Sequence, residues 1–360
     1  MKVLSLFDGM ACGMVAMQLA GMEVESYDAY EIDKYAIKTV QHNFPMIKEH
    51  GDVFGADFTQ YEGIDFLIGG SPCTYWSIAQ TKNRETVASG MGWELFSQYV
   101  RALHDAKPKY FIYENNKSMS KAIRASIDET FGFEAVLINS ALVSAQNRQR
   151  LYWVGKRNPD GTYSKVDVEQ PEDRGILLQD ILEDDIVWQE KSYNITTRCC
   201  GAIPEDTLKR HRHTMVAEPV NITHDGKAQC LRATYYKVGI RDMVGNDIDR
   251  KTCVAEPVEP RCVAQPPSHI PNVIERKSDK KYPVYEVRNG LITIKGKQYP
   301  IKLKDGYYII RKLTVRECMR LQTVPEWYEF PVSDSQAYKM LGNGWTCEVI
   351  AHILKSLKEA

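Results

Sequence analysis

The sequence predicts an α/β protein: a mainly parallel sheet covered on both faces, joined to a smaller, irregular, mostly β domain. Three observations carry that reading. Strand-like and helix-like stretches alternate through the first 157 residues, the pattern of parallel strands joined by crossover helices. From about Asn158 prolines and short polar turns multiply, and helical periodicity is hard to find before Thr314. Charge divides further along that stretch. Residues 191–310 hold 21 Lys and Arg against 13 Asp and Glu, a net of +8, whereas the remainder holds 25 against 34, a net of −9.

Taken in order, the apolar runs are Val3 to Phe7, Val24 to Ile32, Phe66 to Ile68, Tyr110 to Tyr113, Val136 to Ile138 and Leu151 to Val154. Helical candidates between them are Lys34 to Asn43, Trp93 to Ala106 and Ser118 to Phe131. Residues 1–157 are therefore expected to form an α/β domain, 158–310 a second domain, and 311–360 a helical return that starts at the capped sequence Thr314-Val315-Arg316-Glu317. A weak repeat marks the middle segment: Met215 to Pro219, Cys253 to Pro257 and Cys262 to Pro266, without a fixed period. The basic balance of residues 191–310 suits a polyanionic partner, although solvated surface lysines would give the same count.

Composition narrows the class further. At 43% hydrophobic and 26% charged, with net charge −1, the chain reads as globular. No apolar run approaches ~20 residues, so no membrane span is expected, and Lys2 to Phe7 is too short for a signal peptide. Nine cysteines without a C-x-x-C pair argue against disulfide scaffolds and common zinc modules; no metal is expected, and the location expected is a reducing cytoplasm.

In parallel sheets ligands bind beyond the carboxyl ends of the strands, so the loops there are the candidates for chemistry. The first, Phe7-Asp8-Gly9-Met10-Ala11-Cys12-Gly13, has two glycines for close backbone approach, but it is neither G-x-G-x-x-G nor Walker A. The second strand ends in Glu31-Ile32, with an acid placed to bond ribose hydroxyls. The third loop, Gly69-Gly70-Ser71-Pro72-Cys73-Thr74, holds a cysteine where a nucleophile would stand, though buried structural cysteines are commoner. Glu114 closes the next strand. Arg148 and Arg150, two apart, share a face if extended. Each could be an ordinary surface charge; the three loops together point to a site.

These motifs, in this order, resemble the DNA cytosine-5 methyltransferase family of bacterial and phage type, over nearly the whole chain. Phe7 to Gly13 is similar to its S-adenosylmethionine loop, Glu31 to its ribose-binding acid, and Gly51-Asp52-Val53 to its adenine-side turn. Ser71-Pro72-Cys73 resembles the catalytic P-C motif, Glu114-Asn115 the E-N motif, and Gln146 to Arg150 the Q-x-R-x-R motif. Arg311 to Gln322 and Leu341 to Gly344 resemble the two closing motifs. Three departures stand out: Thr74 for glutamine, Asn116 for valine, and Trp345-Thr346 where small or aliphatic residues are usual.

The resemblance implies a Rossmann-like methyltransferase sheet with a target-recognition domain. It implies S-adenosylmethionine as cofactor, held by Phe7, Asp8, Gly9, Met10, Ala11, Cys12, Gly13, Glu31, Ile32, Asp52, Val53, Pro72, Asn343, Gly344 and Trp345. The reaction implied is methyl transfer to C5 of a flipped cytosine in double-stranded DNA. Cys73 would add to C6, Glu114 would be kept protonated to donate to N3, and Arg150 with Arg148 would hold the base and favour the thiolate. Arg198, Arg210, Arg212, Arg232 and Lys237 are the candidate DNA contacts. A monomer is expected, acting in the bacterial or phage-infected cytoplasm, with any cognate restriction endonuclease acting separately. A transfer-RNA methyltransferase and a silent DNA-binding member of the fold are the alternatives. The long middle segment argues against the first, and the retained Cys73 and glycine loop against the second.

Overall fold

A computed structural model describes residues 1–77, 84–183, 214–219 and 281–359, with 191–192, 204, 208–209 and 273–275. Five strands run parallel in the order β3-β2-β1-β4-β5: β1 (Lys2–Leu6), β2 (Ser26–Tyr30), β3 (Lys48–Glu49), β4 (Phe66–Gly69) and β5 (Tyr110–Asn116). All four β4 residues are buried, because helices cover both faces of a parallel sheet. The crossovers carry α1 (Cys12–Leu19), α2 (Lys34–Asn43), α3 (Met91–Ala106) and α4 (Lys121–Phe131). Local chemistry sets their ends. Asp33 caps α2 by accepting the Tyr35 N–H, Ser120 caps α4 by accepting that of Ile123, and Gly132 at φ 80° stops α4.

The sheet is not wholly parallel. β7 (Gln149–Arg157) inserts antiparallel between β5 and β6 (Val136–Asn139), and β8 (Tyr163–Lys165) pairs antiparallel with β7. The link across 140–148 is too short for the dozen or more residues of a parallel crossover, so the chain doubles back. Beneath this end lies an aromatic core of Phe96, Tyr99, Phe111, Tyr113, Phe131 and Trp153, with ring centroids 4.8 to 6.4 Å apart among its contacting pairs.

The chain forms two compact units. The first contains Met1–Ile176 and resumes at Cys318. Its N-terminal part thus extends beyond the expected boundary at 157, because β8 pairs with β7 and the Arg174 N–H donates to Leu142 O. The tail returns to it through α7 (Asp334–Asn343) and α8 (Cys347–Glu359); a further helix, α6 (Val315–Leu321), precedes them. The Tyr328 hydroxyl donates to Met10 O at 2.7 Å, and Lys339 pairs with Asp33 at 2.6 Å.

The second unit holds the short helix α5 (Leu178–Ile181) and a six-stranded antiparallel sheet. Its strands are β9 (Met215–Pro219), β10 (Val273–Glu275), β11 (Lys281–Arg288), β12 (Leu291–Ile294), β13 (Lys297–Pro300) and β14 (Gly306–Lys312). Residues 281–312 are more regular than expected. Two-residue turns at Asn289-Gly290 and Lys295-Gly296, all at positive φ, give tight hairpins. Val287, Ile292, Ile294 and Ile310 alternate inward against Met215 and Ala217. The first repeat copy is β9; the other two, and Arg198, Arg210, Arg212, Arg232 and Lys237, lie outside the described residues. Among the described residues no helix is long and apolar enough to cross a membrane.

Candidate active site

Immediately after β1 the backbone turns over the carboxyl edge of the sheet. Phe7, Gly9 and Ala11 adopt φ of 59°, 63° and 56°, left-handed conformations that cost a non-glycine residue ~1–2 kcal/mol. Dense bonding holds the turn there. The Phe7 and Asp8 N–H groups donate to Tyr30 O, and that of Gly9 to Glu31 Oε2 at 2.8 Å. The Asp8 carboxylate is anchored from within the fold. It accepts the hydroxyls of Ser5 (2.5 Å) and Tyr27 (2.6 Å), and burial pushes its pKa up to about 6. Met10, Ala11 and Cys12 are buried too, so their side chains pack the loop. Gly13 must be glycine: a Cβ there would strike Ile68 Cδ1 and stand 2.7 Å from Tyr27 OH.

What this loop offers outward is backbone and Glu31. Oε1 of Glu31 accepts the N–H groups of Ile32 and Asp33, both at 2.8 Å, while Oε2 takes Gly9 alone among the described residues. A carboxylate oxygen has two acceptor positions, so Oε2 retains one for a hydroxyl. Beside it Ile32 is 75% exposed, an aliphatic surface for a planar ring. Asp52 caps the turn Val53–Gly55 by accepting the Phe54 N–H, and Val53 is buried. Hydroxyl acceptor, bare glycine turn and apolar shelf fit an adenosine-containing cofactor.

Two strands away, Cys73 opens a single helical turn after β4, its carbonyl accepting the N–H groups of Trp76 and Ser77. The turn is tied to β5 by Ser71 Oγ–Tyr113 OH at 2.7 Å and Asn115 Nδ2 donating to Ser71 O at 3.1 Å. Glu114 projects from β5 and is 9% exposed. Arg150 Nε stands 3.0 Å from its Oε1, and the Trp345 indole N–H donates to Oε2 at 2.9 Å. A Cβ on Gly70 would lie 2.9 Å from the same Oε2, so glycine leaves room for the acid. Glu114 and Arg150 meet diagonally across the β5–β7 pair, since Arg150 is opposite Asn116.

The geometry bears on three expectations. Glu114 is paired with Arg150. Arg148, 3% exposed, donates to Gly342 O at 3.3 Å and to Gly344 O at 2.7 Å. Desolvation, reinforced by Arg150, lowers its pKa to about 10. Around Cys73 both arginines do favour the thiolate. Burial pushes its thiol above the ordinary value and outweighs the pull of Arg150 and Arg148.

Every element of this constellation lies at one edge of the first unit's sheet, and the model of the C-5 cytosine-specific DNA methylase family matches residues 1–359. The chain belongs to that family. It is a DNA (cytosine-5-)-methyltransferase, and two curated relatives align over 99% of its length. It is 25% identical to the orphan methyltransferase M.SPRI of Bacillus phage SPR, covering 97% of that protein. It is 27% identical to the type II methyltransferase M1.ScrFI of Lactococcus lactis subsp. cremoris, covering 78%. The fold is similar to the crystal structure of S. pombe Dnmt2 methyltransferase, at TM-score 0.57 and 13% identity, over 99% of this chain and 98% of that one.

Two of this methyltransferase's three departures now have partners. Asn116 accepts the Ser118 hydroxyl at 2.6 Å and donates to Asn115 Oδ1. Trp345, expected to touch the cofactor, gives its N–H to Glu114, while the Thr346 hydroxyl joins a buried network with Ser140 (2.8 Å) and Gln322 (2.9 Å). Thr74 is exposed, and nothing in the structure explains it. Gly344 packs so closely on Cys12 that a Cβ would stand 3.0 Å from its sulfur, which brings the late motif onto the first loop. Pro72 and Asn343 are exposed at this edge. The loop anchors Tyr27 and Tyr328 carried no sequence signal, because neither sits in a motif.

Proposed function

We propose that this methyltransferase transfers the methyl group of S-adenosylmethionine to C5 of a cytosine flipped out of double-stranded DNA, through a covalent bond between Cys73 and C6. The observation that carries the reading is the convergence of Cys73, Glu114 and Arg150 beside the glycine loop and Glu31. Phe7 to Gly13, Glu31, Ile32, Asp52, Val53, Asn343 and Gly344 would hold the cofactor, chiefly through backbone. Bound there, S-adenosylmethionine supplies an electrophilic methyl group.

The residues then divide the work. The Cys73 thiol gives up its proton and its sulfur adds to C6, making C5 enamine-like and nucleophilic. Glu114, paired with Arg150, takes up the thiol proton and passes it to N3, offsetting charge in the ring. Arg150 holds Glu114 with Nε and keeps other N–H donors for the base carbonyl. Because burial keeps Cys73 protonated, the thiolate forms only as the base arrives and its proton passes, by way of Glu114, to N3. After methyl transfer the C5 proton leaves to solvent, the C6–sulfur bond breaks, and the N3 proton returns through Glu114 to Cys73. Flipping the base costs a few kcal/mol. Phosphate contacts from the basic block 191–310, proposed as part of the target-recognition domain of a monomer, offset that cost.

The test is a duplex carrying 5-fluorocytosine at a site first mapped by bisulfite sequencing. Fluorine cannot leave as a cation, so an adduct surviving denaturing electrophoresis is expected, dependent on S-adenosylmethionine and absent in Cys73→Ala. No adduct at a mapped site contradicts the mechanism, and faster methylation of an RNA counterpart overturns the choice of DNA.

A further inference from the structure

We infer that Trp345 is a positioning residue for Glu114, so that the loop closing over the cofactor also sets the acid that meets the base. The deduction rests on the proposed role of Glu114, and on three observations. First, the Trp345 indole N–H is 2.9 Å from Glu114 Oε2, while Arg150 holds Oε1 at 3.0 Å. One donor on each oxygen fixes the carboxyl plane; losing either leaves the group free to rotate about its last bond. Second, Trp345 is itself pinned on both sides. The Gly344 carbonyl accepts from Arg148 at 2.7 Å, and the Thr346 hydroxyl, 1% exposed, is held by Gln322 and Ser140. Third, Gly344 abuts Cys12 and Met10 of the glycine loop. A shift of that loop therefore reaches Glu114 through one rigid side chain.

This role differs from a stacking contact on the cofactor. A lost stacking contact weakens cofactor binding and is overcome by more cofactor. A misaligned acid slows addition to C6 at any cofactor concentration.

The experiment is single-turnover methylation of a mapped cytosine, with adduct formation on 5-fluorocytosine, both at saturating S-adenosylmethionine. Trp345→Phe keeps an aromatic ring and removes the donor; both rates should fall about tenfold, equivalent to ~1.4 kcal/mol. Trp345→His places imidazole Nε2 where indole Nε1 stands, and should recover at least a third of the wild-type rate. Full recovery of Trp345→Phe at saturating cofactor, or equal rates for Phe and His, overturns the inference. If Trp345→Phe does not fold, Trp345→His decides alone: a loss greater than about tenfold in a folded protein overturns it. Failure of the wild-type protein to give any adduct would instead remove the mechanism on which Glu114 depends.

Discussion

Arg148→Met separates a buried clamp from a base-binding arginine. In the wild-type protein the guanidinium donates to Gly342 O and Gly344 O. Each charge-assisted hydrogen bond contributes ~1.5–3 kcal/mol. Against that stands the cost of burying the charge, ~3 kcal/mol for a pKa lowered to about 10 from the ordinary guanidinium value. Gly344 O keeps a second donor, Gln322 Nε2 at 3.3 Å, so the loss falls mainly on Gly342. The net expectation is a destabilisation of ~1–3 kcal/mol, read as a lower urea midpoint at unchanged slope. Cofactor affinity should fall with it, about tenfold, because the released carbonyls belong to the loop that packs on Cys12. Arg148→Lys should be intermediate, since one ammonium cannot reach both carbonyls with a planar fork. Unchanged stability and cofactor affinity with a hundredfold loss of turnover would refute the reasoning and return Arg148 to the base.

The remaining predictions concern packing and pH. Gly13→Ala should lower stability by ~2 kcal/mol or more and weaken cofactor binding, because its Cβ meets Ile68 and Tyr27; an unchanged thermal midpoint would contradict the close approach. Glu49, with both oxygens buried and unpartnered among the described residues, has its pKa pushed up to about 8 by burial and by Asp8 and Glu31. Its folded form keeps a proton that the unfolded chain releases above about pH 4.5, so stability should decline as pH rises from there to about 8. Glu49→Gln should therefore be the more stable protein at pH 8, by ~1–2 kcal/mol after allowance for its partial exposure to solvent, and the gap should close toward pH 5. A gap independent of pH sinks this. Cys73, pushed up by burial, should react with iodoacetamide more slowly than a free thiol at pH 7.5 and keep accelerating past pH 9, followed peptide by peptide in a mass spectrometer. A plateau below pH 8 would show that Arg150 and Arg148 win over burial.

Local patterning carried much of this protein. The alternation of apolar runs with helical stretches placed β1, β4, β5 and β6 within a few residues, and α2 at Lys34–Asn43 as expected. These elements follow from side-chain period and from caps such as Asp33, which act within a single turn. The loops after the strands, and the ordered motifs from Phe7 to Gly344, were legible for the same reason: each is a contiguous run of residues.

What the tertiary structure alone decided lies across the chain. Arg148 and Arg150 are chemically identical and two residues apart, yet one clamps Gly342 and Gly344 while the other pairs with Glu114. No local rule separates them, because their partners come from segments 194 and 36 residues away. The antiparallel insertion of β7, the continuation of the first unit to Ile176 and the Trp345–Glu114 bond depend likewise on which surfaces meet in three dimensions. The charge state of Cys73 belongs with them. Two neighbouring arginines argue for a thiolate and burial argues against it, and the extent of burial exists only once the chain has packed.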